Sequence, residues 1–237
     1  MNKRLPQSLL ASVLAAAIAA PAFAAEIVPV NLDAPDVGLN DPTPKAPQGS
    51  NPGTTLGQQR QIAYQFAADL WGSVLKSDVP VYVGASFAPL TCSPTSGVLG
   101  SAGATSVFSD FAPGVVPGTW YSGALADAIA GVDLDPGFID INSRFNGDIG
   151  VNPNCLTGSD WYYGLDGNTP AGSINFLNVV MHEIGHGLGF QNFENEATGA
   201  FLAGVPDIYS TFTYDNTQAK LWTQMTDAQR QASAINN

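Results

Sequence analysis

The sequence predicts an α+β domain: a small twisted mixed sheet packed on a backing helix and on a second helix that carries the chemistry, with a loop-rich remainder. Three observations lead there. Residues 54–76 and 173–190 repeat apolar side chains at helical intervals, whereas 81–87 and 138–142 have the length and apolar character of strands. Glycine and proline, 25 and 17 of the 237 residues, crowd the connections between them.

In chain order, Lys3 and Arg4 precede an apolar run over 9–20, and Ala22-Phe23-Ala24 supplies the small-x-small pattern cleaved in export signals. The run is shorter than the roughly 20 residues of a membrane span, and no other segment approaches that length. Residues 1–24 therefore read as a cleaved signal peptide, which makes the protein secreted or periplasmic. Cleavage leaves 213 residues and moves the formal charge from −12 to −14. Such an acidic chain repels nucleic acid, which excludes binding by phosphate neutralisation. With 45% apolar and 12% charged residues it has the material for a buried core, which excludes wholesale disorder. Cys92 and Cys155 are expected to pair outside the cytoplasm, closing a 62-residue loop. In the chain-entropy picture that contributes about 3–5 kcal/mol. A cysteine metal site is the weaker alternative, because the C-x-x-C spacing is missing.

Residues 25–53 carry six prolines among Asp, Asn and Gly and read as a leader or wrapping arm, which leaves 54–237 as the domain proper. In 54–76, Ile62, Ala63, Phe66, Leu70, Trp71, Val74 and Leu75 form an amphipathic stripe, with Thr55 able to cap its start. A strand follows over 81–87, then loops and short ribbons such as 105–108, a short helix over 121–130 and a half-buried strand over 138–142. Residues 147–172 read as loop. The next helix, 173–190, carries Ile174, Leu177, Val180, Met181, Ile184 and Leu188 on one stripe, with Ser173 as the expected N-cap. Beyond it lie a small-residue loop, a strand or turn over 207–214, and a capping box from Thr226 to Gln229 that starts a terminal helix. The chain stops soon after that helix, so a further element beyond 237 is expected.

The only two histidines, His182 and His186, stand four apart on the 173–190 helix, with Glu183 beside the first. Four residues is just over one turn, so both imidazoles project from one face and can supply two ligands to a tetrahedral ion such as Zn2+. Glu183, on the neighbouring side of the turn, is placed to act as a general base. Two solvated surface histidines are the plain alternative. Against it stand Val179, Val180, Met181, Ile184 and Leu188, whose apolar side chains bury such a helix. Gly185, Gly187 and Gly189 each cost a helix interior about 1 kcal/mol, so the helix should end there or pack closely. Gly189 can adopt the left-handed turn that stops it.

The stretch His182-Glu183-Ile184-Gly185-His186-Gly187-Leu188-Gly189-Phe190 resembles the H-E-x-x-H-x-x-G core of the metzincin peptidases, most closely the leishmanolysin type. The resemblance covers nine residues. It implies a zincin-like fold, zinc held by His182 and His186, Glu183 as general base, and a polypeptide substrate. In that family the third ligand stands where this chain has Asn192, a poor zinc donor. Asp207 is the expected replacement, with Glu194 as the alternative, because Gly204 to Tyr209 resembles a stretch of the aspzincins in which Asp is a ligand. The same resemblance gives Tyr209 a place beside the oxyanion and Met225 one beneath the metal, although ordinary packing accounts for both. Asp140 and Asn142 are expected to border the cleft, where an extended peptide adds itself as a strand. The expected activity is a secreted zinc endopeptidase. An inactive zincin-like binding module and an exported structural domain are its rivals.

Overall fold

The computed structural model describes residues 24–235, so the segment read as a signal peptide lies, but for Ala24, outside the described residues. A mixed four-stranded sheet sits over two helices, as the α+β class requires. In chain order the elements are β1 (Ile27–Asn31), α1 (Leu56–Val74), β2 (Val81–Ala88), β3 (Gly100–Ala104), β4 (Val107–Phe108), β5 (Tyr121–Ser122) and α2 (Gly123–Ala130). There follow β6 (Ile141–Asn146), β7 (Asp160–Tyr162), β8 (Ser173–Asn175), α3 (Phe176–Gly187), β9 (Tyr214–Asp215), β10 (Lys220–Leu221) and α4 (Asp227–Ala234).

The sheet order is β1-β2-β6-β3. β1, β2 and β6 run parallel, and β3 pairs antiparallel with β6, Ala102 opposite Ser143. The expected strand over 138–142 is thus displaced: the strand is 141–146, and Phe138 is exposed. β6 lies inside the sheet, so Asp140 and Asn142 do not border a free edge. The free edge beside α3 belongs to β3, whose Gly-Ser-Ala-Gly-Ala sequence has no β-branched or aromatic residue to announce it.

The 25–53 arm is built into the domain. Its first part is the edge strand β1, an edge position that suits Pro29. Its second part closes over the start of α1. There Asn51 Nδ2 donates to the Gln59 and Tyr163 carbonyls at 2.9 and 2.8 Å. Buried Arg60 donates to the Gly38 carbonyl and the Tyr163 hydroxyl and stacks on Phe87, its carbon 4.2 Å from the ring centre. α1 begins as expected, with Thr55 accepting from the Gln58 N–H.

The core is aromatic where α3 starts. Phe176, fully buried, packs edge-on against Phe145, Trp161 and Tyr163 at 5.0 to 5.4 Å between ring centres. This explains why the helix starts later than its periodicity suggests. Ser173–Asn175 pair as β8 with β7, and the cap is Asn175, which accepts from the Asn178 N–H. The end follows from packing as well. A Cβ on Gly187 would lie 2.2 Å from Cγ2 of Ile141, so only glycine lets α3 approach β6 so closely. Gly189, at φ +119°, then turns the chain.

Cys92 and Cys155 form the expected disulfide, with Cα atoms 5.1 Å apart. It ties the loop leading into β3 to the loop after β6. No helix among the described residues is long and apolar enough to cross a membrane.

Candidate metal centre

α3 presents His182 and His186 one turn apart, with Nε2 of one 2.9 Å from Nε2 of the other and ring planes at 90°. The two rings converge. Nδ1 of His186 lies 2.8 Å from the Phe190 carbonyl, a group that can only accept. Nδ1 therefore carries the proton, and the Nε2 lone pair of His186 is left facing His182. The turn at Gly189 delivers that carbonyl, so the small-residue end of the helix fixes the orientation of its second histidine. Tetrahedral zinc with bonds of about 2.0–2.1 Å separates two imidazole nitrogens by roughly 3.3 Å, a slight opening of the present spacing.

Glu183 leaves the same turn sideways, towards β3, and is buried. A Cβ added to Gly100 would meet its Cγ at 3.1 Å and its Oε1 at 3.2 Å, so the glycine makes room for the carboxyl. Burial pushes the acid's pKa up, while His182, His186 and a hydrogen bond from the Ala102 backbone oppose that rise. A cleft of about 480 Å3 opens here, bounded by Val98, Leu99, Gly100, Asn178, His182 and Glu183. β3 was not foreseen, yet its backbone holds the carboxylate.

The third ligand is where expectation and geometry part. Asp207 is buried and occupied elsewhere: Oδ2 accepts from the Phe193 N–H and the Ser210 hydroxyl at 3.0 and 2.7 Å, and Oδ1 accepts from the Ser210 N–H. It braces the loop after α3. Asn192 belongs to the same brace, donating to Ser210 Oγ at 3.0 Å. Glu194 has a buried Oε2 without a hydrogen-bond partner, and burial pushes its pKa up. Among the described residues none of these acids joins both histidines within 4.8 Å, so the structure does not bring Asp207 to the pair. The site thus offers two converging imidazoles, and among the described residues no third His, Cys, Asp or Glu donor lies within 4.8 Å of both. Tyr209 is partly exposed, its ring 6.1 Å from that of Phe190, and Met225 is buried beside Trp222 and Arg230 in the C-terminal part.

One acidic group went unread. Asp127 on α2 and Asp135 and Asp140 on the connection from α2 to β6 bring carboxylate oxygens within 4.8 Å of one another, a spacing that could hold a metal ion. Asp127 and Asp140 are hydrogen-bonded to each other, and burial, then the neighbouring Asp127, push Asp140 up to about 6. The Asp-x-Asp at 133–135 is the one sequence hint, and nothing in its spacing ties it to Asp127.

Comparison with known families, curated proteins and solved structures finds no match. The assignment therefore rests on the geometry of these side chains.

Proposed function

We propose that the protein is an exported zinc-dependent endopeptidase in which His182 and His186 hold the metal and Glu183 is the general base. The observation that carries this reading is the convergence of two imidazole nitrogens at 2.9 Å beside a buried carboxyl group. Zinc, when bound, supplies Lewis acidity and lowers the pKa of water to about 7. Phe190 keeps His186 in the tautomer that can ligate. The Glu183 carboxylate, held by Ala102, takes a proton from water and returns it to the leaving amine. The unpaired side of β3 offers backbone groups to an extended polypeptide along the cleft.

The test is Glu183→Gln assayed with zinc content. Zinc should remain near one per chain while casein cleavage falls at least 100-fold, in line with the loss of a general base. Unchanged turnover with full zinc would remove Glu183 from the mechanism.

A second reading, an inactive zincin-like binding module, is favoured by one observation: among the described residues no third His, Cys, Asp or Glu joins the histidines within 4.8 Å. Stoichiometric zinc in the wild type without cleavage of any unfolded protein substrate would select it. Failure to bind any metal would leave an exported structural domain.

A further inference from the structure

A second concavity lies beyond the end of α3, where the tip of α1, α2 and the 208–212 segment meet. Its volume is about 340 Å3, inside the range of roughly 300–1,000 Å3 usual for small-ligand sites. The walls are Trp71, Leu75, Leu125, Phe190, Tyr209 and Phe212. Phe190 and Phe212 stand 61% and 77% exposed, so the rim leaves large apolar rings in water, a cost that a bound apolar group removes. Polar groups are few. The Ser77 hydroxyl is used by the Val79 backbone, and the other residues of the lining with a polar side-chain end free of it are Lys76 and Tyr209.

Lys76 sets the charge of the occupant. Lys76, like Arg144 and Lys220, forms no ion pair among the described residues, and it is the one of these three on the lining. Ala25 also lines the cavity, its nitrogen 3.2 Å from the Leu75 carbonyl. Removal of the expected signal before Ala25 would put an α-ammonium at the Leu75 carbonyl. The acidic remainder of the molecule repels anions at long range, but salt at 0.15 M screens that beyond about 8 Å, so recognition is decided at contact.

We propose that this cavity binds a single-chain amphiphilic carboxylate, its alkyl chain between the aromatic walls and its head group at Lys76. The site is independent of the metal reading. The two meet at the end of α3, where Gly189 and Phe190, which line the cavity, also bring the Phe190 carbonyl to His186.

The experiment is calorimetric titration of the exported protein with decanoate, decanol and decyltrimethylammonium, each below its micelle concentration. Decanoate should bind one per chain, at least tenfold tighter than the alcohol, and the cation should not bind. Lys76→Glu should weaken decanoate at least tenfold, Lys76→Arg should keep it, and the cavity-filling Ala128→Trp should abolish it. Leu125→Phe serves if Ala128→Trp loses its native circular dichroism. The His186 ring resonances should shift with decanoate in the wild type and not in the filled variant. Equal affinity for the alcohol and the acid, undiminished binding in a folded filled variant, or a dimer that buries this face and excludes decanoate would each overturn the proposal.

Discussion

Asp127 and Asp140 are 2% and 4% exposed and bonded to each other, without a cation in an ion pair with either among the described residues. Two carboxyl groups so placed share a proton instead of both ionising. Burial raises both in the folded state, so their contribution is complete below the ordinary value of 3.8 and is lost as the pH rises through about 6. The urea midpoint is therefore expected to fall between pH 4 and pH 7. Asp127→Asn, whose amide can donate permanently to Asp140, should flatten that fall, and an unchanged slope in the variant would disprove the shared proton. At this scale the sequence was readable where chemistry is local. His182, Glu183 and His186 are related by one helical turn, which spacing alone encodes. Asp207 was not readable, because its direction depends on the path of a loop whose bonds to Phe193 and Ser210 no periodicity reports.

Among the elements, α1 and α3 follow from their apolar stripes, while β3 and the bounds of β6 and β8 do not. Pairing decides those strands: Gly100–Ala104 is extended because β6 lies beside it, and Ser173–Asn175 because β7 does. The approach of α3 to β6 gives a prediction. Gly187→Ala puts a methyl group 2.2 Å from Ile141, and overpacking of this kind costs about 1–3 kcal/mol. The melting temperature should drop by several degrees. Pairing the change with Ile141→Val, which trims that side chain, should recover part of the loss, and additive losses in the double variant would place the strain elsewhere.

Over the whole molecule, the segment read as an arm is an integral layer, because its prolines forbid a central strand but not the edge position of β1. Asn51 is its main rivet. Asn51→Ala leaves the Gln59 and Tyr163 carbonyls without their buried donor, at about 1–3 kcal/mol for each group. Limited proteolysis should then cut within residues 38–53 well before the rest of the chain. Protection equal to the wild type would show that β1 alone holds the segment.

The bridge between Cys92 and Cys155 spans a sequence separation of 63, and the stretch it encloses includes β3, α2 and β6 together with the exposed Pro113, Gly114, Val116, Pro117 and Gly118. Scission at that exposed tip severs the backbone without releasing either piece. Such a nicked molecule migrates as one band on a gel run without thiol and as two once mercaptoethanol is added, so damage there stays invisible until the sulfurs are parted.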